Sequence, residues 1–255
     1  MSTSPGAGLH VPGTSPVHRL PPHTKLVALL AFVLVVVVTP RELFRAFGGY
    51  AVLIALVVAT ARLAPTLVLR RMTVEIPFVV FALLLPFLST GPTTEVLGIT
   101  VSESGLLGAW TILAKGTLGV AASVVLAATT EPRSLLLGLE RLRMPSLLVQ
   151  ILSFMFRYAD VVAGEMARMR VARESRAFQG RSVKHLGVVA HSAGALFIRS
   201  YERGERVHLA MLSRGYNGRL PTVSTGAAAP ADWARAAVLP LTAAAICAAA
   251  LLVRP

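Results

Sequence analysis

Cysteine occurs once in the 255 residues, at Cys247, so neither an intrachain disulfide nor a cysteine-built metal site is available. The six histidines, His10, His18, His23, His185, His191 and His208, include no i, i+4 pair. They read as solvated or interfacial rather than as metal ligands. Charge is sparse: 15% of residues are Asp, Glu, Lys or Arg, against about 25% in a soluble domain. Acidic residues are scarcer still, 12 in all. None is expected inside an apolar segment, where a proton- or sodium-coupled carrier would keep one. No nucleotide-binding loop is present. Its nearest approach, Ala114-Lys115-Gly116-Thr117, lacks the glycine-rich cradle and falls within an apolar segment. Gly-x-Ser-x-Gly and His-Glu-x-x-His are also missing. These gaps leave no catalytic constellation, no cofactor site and no metal site, so a transport role would have to draw its energy from a partner.

What is abundant is apolar. Such residues make up 55% of the chain and the mean hydropathy is +0.68, more grease than a soluble core of this size uses. The expected class is therefore an all-α membrane protein lying in the lipid bilayer of the cell membrane. About five spans are readable: Leu26–Thr39, Phe47–Leu63, Ile76–Ser89, Gly105–Ala128 and Trp233–Val253. The first reaches only about 21 Å at 1.5 Å per residue, short of a hydrocarbon core of about 30 Å. Either residues 26–63 span with help from their flanks, or they form a shallow hairpin. Lys115, near the middle of the fourth span, has two readings, a structural polar contact or a transport role.

The net charge of +13 invites a nucleic-acid reading, but no recognition motif is present and the basic residues flank membrane segments. The positive-inside rule accounts for most of them. Residues 131–221 carry 15 Lys and Arg against seven Asp and Glu, whereas 90–104 has Glu95 and Glu103 and no basic residue. That places the loop 90–104 outside, and the amino terminus and residues 131–232 in the cytoplasm. Arg41 and Arg45 conflict with this scheme, which puts their loop outside. The expected organisation is a disordered tail at 1–18, membrane helices over 19–130 and a coupling-helix region at 131–221. A linker at 222–232 and a terminal span at 233–255 complete it.

Within the basic block a seven-residue pattern occurs twice. Ser175-Arg176-Ala177-Phe178-Gln179-Gly180-Arg181 recurs 38 positions later as Ser213-Arg214-Gly215-Tyr216-Asn217-Gly218-Arg219. Each copy closes a helical pattern. One helix starts at Ser146, with Ile151, Met155, Tyr158, Val162, Met166 and Met169 at helical spacing; the other runs about Val183–Ser213. On the second, Ser200 and Gly204 would let another helix approach closely. A cation suits a helix C-terminus, the glycine after each arginine suits a stop, and guanidinium suits bidentate grasp of carboxylates or exposed carbonyls on another protein.

Ser15-Pro16-Val17-His18-Arg19-Leu20-Pro21, Lys25 and Ala210-Met211-Leu212-Ser213-Arg214-Gly215-Tyr216-Asn217-Gly218-Arg219-Leu220-Pro221 carry a resemblance. Over roughly residues 16–253 the chain resembles the transmembrane T component of energy-coupling-factor (ECF) transporters, most closely the cobalt-transport CbiQ family. In that family paired Ala-Arg-Gly-like motifs end two crossing coupling helices, and each arginine enters a groove of one ATP-binding-cassette ATPase. The resemblance implies that Arg176 and Arg214 are the coupling arginines, with Ser175, Ala177, Ser213 and Gly215 as motif neighbours. Three of these four neighbours depart from Ala-Arg-Gly, each to a small residue. It also implies two ATPase subunits and a separate substrate-binding S component as partners, no catalysis by this chain, and cobalt as cargo. A vitamin or nickel importer and a self-contained secondary carrier are the alternatives.

Overall fold

The computed structural model describes residues 10–89, 92–96, 99–176, 178, 186–218 and 228–252. They fall into two compact units, one within Leu139–Thr225 and one combining Leu9–Gly138 with Gly226–Pro255.

The larger unit is built on four apolar helices: α2 (Pro22–Val38), α3 (Phe44–Thr60), α6 (Glu103–Thr129) and α10 (Pro230–Leu252). α2 and α3 each pack against both α6 and α10, forming a ring around Phe32, Val36, Phe47, Tyr50, Leu118 and Ala243. Edge-on contacts of Phe32 and Phe47 with Tyr50, and of Phe47 with Trp110, fill its centre. The outer faces are equally apolar: Leu34, Val38, Val52, Phe87 and Leu241 are all well exposed. A fold with grease on both sides is one whose solvent is lipid.

α4 (Pro65–Arg71), a 3-10 turn (Met72–Glu75) and α5 (Ile76–Leu88) run on as one apolar stretch, Pro65–Leu88. This segment begins 11 residues earlier than the expected third span because the turn carries the chain past Arg70 and Arg71 without a break. α5 packs on α6, and at Gly105 a Cβ would lie 2.7 Å from both the Leu85 oxygen and Pro86 Cα. Glycine is needed there because the two backbones touch. Between the two helices lies a hairpin, β1 (Thr93–Val96) and β2 (Ile99–Ser102), antiparallel with Thr93 opposite Ser102. The loop expected there thus contains strands, as its β-branched residues favour.

The expectation of no acidic residue inside an apolar segment is overturned. Glu75 is buried in the Pro65–Leu88 stretch and accepts a hydrogen bond from the Thr117 hydroxyl of α6 at 2.8 Å. Gly116 makes room for it, its Cβ position being 3.0 Å from Glu75 Oε1.

α2 and α3 have 17 residues each, about 25 Å at the usual rise and shorter than the hydrocarbon core. Among the described residues four stretches are long and apolar enough to cross a membrane, Pro65–Leu88, Glu103–Thr129, Ser146–Glu174 and Pro230–Leu252, the third of which was expected as a coupling helix; α2 and α3 are shorter. Two polar ties hold α2 antiparallel to α6. Lys25 Nζ donates to the carbonyls of Thr129 (2.9 Å) and His18 (3.2 Å) and to the Thr130 hydroxyl (3.2 Å). Lys115 Nζ donates to the Val37 carbonyl at 2.6 Å. Each lysine therefore caps a helix C-terminus, Lys25 that of α6 and Lys115 that of α2, where orphan carbonyls and the helix dipole favour a cation. Of the two readings of Lys115, the structure supplies the polar contact.

Residues 10–18, expected to be part of a structureless tail, are folded onto this end of the bundle. Ser15 caps the short helix α1 (Pro16–Arg19), accepting from the His18 backbone N–H, and Pro16 takes the first helical position. The Val11 N–H donates to the Ala128 carbonyl at 2.9 Å, a second cap on α6. His18 Nε2 lies 3.1 Å from the Val11 carbonyl and Nδ1 lies 2.7 Å from Ser15 Oγ. A carbonyl only accepts, so Nε2 carries the proton and Nδ1 receives the Ser15 hydroxyl hydrogen. Burial lowers the His18 pKa below the ordinary histidine value. The Val11 bond opposes this shift, and Lys25 and His10 reinforce it.

Candidate functional site

The smaller unit holds α8 (Ser146–Glu174) and α9 (Leu186–Leu212). They pair antiparallel through side chains near each end and at the middle. Arg173 Nη1 donates to Ser192 Oγ at 2.6 Å. Arg203 meets Glu165 at 3.2 Å, with Glu165 largely buried. At the remaining end Gln150 Nε2 donates to the Gly218 carbonyl at 2.8 Å, and the Tyr216 hydroxyl donates to Gln150 Oε1. Between them lies a groove of about 570 Å³ lined by Phe154, Tyr158, Ser200, Gly204 and Val207. Nothing approaches within 4 Å of a Cβ placed on Gly204. The close contact expected at Ser200 and Gly204 is thus not made among the described residues; both open onto the groove, across which lie the stacked rings of Phe154 and Tyr158. The α8 stripe is also partly outward, with Met155 and Ile151 exposed.

The two sequence repeats are also structural repeats. In both, the serine hydroxyl donates to the carbonyl three residues back, Ser175 to Ala172 and Ser213 to Ala210, each at 3.0 Å. In both, the serine N–H reaches back four residues, to Val171 (2.9 Å) and Leu209 (3.0 Å). The arginine N–H reaches back three, to Arg173 (3.1 Å) and Met211 (3.0 Å). The aromatic N–H reaches back five, Phe178 to Arg173 (3.1 Å) and Tyr216 to Met211 (3.0 Å). That last bond closes a Schellman motif. In the second copy its left-handed residue is Gly215, at φ +82, whose N–H completes the motif by donating to the Leu212 carbonyl at 3.0 Å. The stop is therefore the glycine directly after the arginine, not the later Gly218. Ala177, at the matching place in the first copy, lies outside the described residues, as do Gln179, Gly180 and Arg181.

These bonds put Arg176 and Arg214 in the capping turn just past their helices, two residues after Glu174 and Leu212, each exposed and each beyond a row of terminal carbonyls. Neither guanidinium has a partner among the described residues. The fold does not bring them together. Because the helices are antiparallel, the arginines stand at opposite ends of the pair, roughly 40 Å apart for helices of this length. Gln150 was missed by sequence reasoning: it sits 66 positions from Tyr216, and nothing local distinguishes it from a solvated glutamine.

Helices with apolar outer faces, together with a pair of long helices that have matching capped ends, define an all-α integral membrane protein. Comparison with known proteins makes this specific. The family profile described as cobalt transport protein, CbiQ, matches residues 13–224, and the chain belongs to that family. It is 33% identical over 227 residues to the energy-coupling factor transporter transmembrane protein EcfT of Thermanaerovibrio acidaminovorans, covering 83% of this chain and 82% of that one. It is 29% identical over 180 residues to the cobalt transport protein CbiQ of Rhodobacter capsulatus, covering 69% and 74%. An uncharacterized protein of Methanocaldococcus jannaschii is 34% identical over 110 residues, 42% of this chain and 40% of that protein's length.

Proposed function

We propose that this chain is the energy-coupling transmembrane subunit of an ECF-type ABC importer, with cobalt ion as the cargo of the assembly. Its partners are two cytoplasmic ATP-binding-cassette ATPases and a substrate-binding S component in the membrane. Its own role is non-catalytic. The observation that carries this reading is the duplicated helix end. Arg176 and Arg214 have the same backbone geometry and the same serine brace, and they project from opposite ends of one braced helix pair. One arginine at each end suits two similar sockets on two ATPases, and guanidinium suits a groove that offers carboxylates and carbonyls. Cobalt rests on the family and on the relatives' names, since the cargo is held by another subunit. The positive-inside pattern supports placing the amino terminus and residues 131–232 in the cytoplasm.

Affinity purification of the tagged chain from its own membranes tests the assembly. The expected result is retention of ATPase subunits with a second membrane protein, and cobalt uptake that requires ATP. Glu75 favours a second reading, because a buried intramembrane carboxylate is what an ion-coupled carrier uses. The purified chain alone in liposomes distinguishes them: cobalt flux without ATP or other subunits supports the carrier, and its absence supports the coupling subunit.

A further inference from the structure

α3 and α10 touch where the Gly49 Cβ position lies 3.0 Å from Ile246 Cγ2, next to the Thr39, Tyr50 and Cys247 hydrogen-bond cluster. Nearer the end of α3 and the start of α10 a crevice of about 440 Å³ is lined by both helices together with α1, α2 and α6, within the range of about 300–1,000 Å³ typical of small-molecule sites. Its walls are Leu53, Val57, Val125 and Leu239, and its lips are Leu56 and Val238, both more than half exposed. From Thr60 to Leu53 on α3, and from Arg235 to Thr242 on α10, the walls run about 10 Å along the helices, some two-thirds of a leaflet of about 15 Å.

One end of the crevice carries polar and basic residues. Lys25, Thr60, Thr129 and Arg235 stand there. The Lys25 ammonium is engaged by its three acceptors, whereas the Arg235 side chain is 72% exposed and, among the described residues, paired with Asp232 at 3.6 Å. Asp232 is the one carboxylate at this rim among the described contacts of Arg235, and it also accepts from the Ala229 N–H at the start of α10. Exposed Arg19 and Arg62 lie one and two residues from the wall residues Leu20 and Thr60, and exposed Glu131 lies two from Thr129. Lys25, Arg235, Arg19 and Arg62 outnumber Asp232 and Glu131 at this end, so it favours an occupant with negative charge at the membrane surface and a flexible apolar body in one leaflet.

We infer that this crevice binds one anionic glycerophospholipid, an acyl chain between α3 and α10 and the phosphate at Arg235. The site belongs to the four-helix unit and is independent of the coupling role. Lipid binding is therefore unchanged in an Arg176→Glu/Arg214→Glu chain, and its failure leaves the coupling reading untouched.

Native mass spectrometry of the full chain, delipidated and then offered equal phosphatidylglycerol and phosphatidylethanolamine of matched chains, tests this. One lipid per chain should persist, with phosphatidylglycerol favoured about fivefold, the scale of one basic side chain at a lipid surface. Arg235→Gln should keep the lipid and lose the preference. Val238→Trp, at an exposed lip where a large ring disturbs no core, should lose retention of both lipids, with unchanged circular dichroism showing that the chain is folded. Equal retention of the two lipids by the wild type overturns the inference, as does undiminished retention by Val238→Trp. A phosphatidylglycerol with a photoreactive acyl chain should label α3 or α10; labelling confined to α8 and α9 also overturns it.

Discussion

Gln150, at the start of α8, holds both sides of the second motif: its carboxamide oxygen receives the Tyr216 hydroxyl hydrogen and its nitrogen donates to the Gly218 carbonyl. The residue is buried, while its partners Tyr216 and Gly218 are half-buried and exposed. The Arg214 end of α9 is thereby tied to α8 rather than free to fray. Gln150→Ala removes both bonds and should cost about 0.5–1.5 kcal/mol for each. Hydrogen exchange should show faster exchange of the Tyr216 amide and its neighbours while the amides of α2 and α6 stay unchanged. Unaltered protection at Tyr216 would show that the tie is not structural.

The contact between α5 and α6 rests on a missing side chain. Gly105→Leu places atoms where the Leu85 carbonyl and Pro86 Cα already lie, and backbone cannot move aside cheaply. A loss of about 1–3 kcal/mol is expected from such overpacking, read as a lower melting temperature in detergent. Gly119→Leu serves as the control, because a Cβ there meets nothing within 4 Å and should leave the melting temperature nearly unchanged.

His18 makes the N-terminal clamp sensitive to acid. Its folded pKa lies below the unfolded value, so the stability it contributes is complete above about pH 6.5 and is lost as pH falls through the folded pKa. Protonation also makes Nδ1 a donor, which opposes the bond from the Ser15 hydroxyl. The melting temperature should be level from neutral pH upward and decline in mild acid, and His18→Gln should flatten that decline. An identical acid slope in the variant would contradict the assignment.

The membrane class, the final span and the two basic helices were legible in the sequence because each rests on composition or local periodicity. α9 was expected over Val183–Ser213 and is described over Leu186–Leu212. The matching helix ends were legible because a repeat at fixed offset is visible without knowing the fold. What escaped depends on distant partners. Glu75 follows Arg70 and Arg71 and reads as part of a polar boundary; only the 3-10 turn that joins α4 to α5, and the Thr117 hydroxyl 42 positions away, put it inside. Lys115 was correctly singled out, but its acceptor is 78 positions distant. Residues 10–18 have the composition of a tail, yet Val11, Ser15 and His18 are organised by the end of α6. Likewise, the helix period in α8 could not indicate which of its apolar residues face α9 and which face outward.

The central claim is that Arg176 and Arg214 transmit work between ATPases and the membrane. Reversing both, Arg176→Glu with Arg214→Glu, leaves the helix-end hydrogen bonds intact because these are made by backbone and serine. Radiolabelled cobalt uptake in cells with equal amounts of wild-type or variant protein in the membrane tests it most directly. The account predicts uptake at background in the double variant, with each single variant impaired. Uptake at the wild-type rate in the double variant would contradict it.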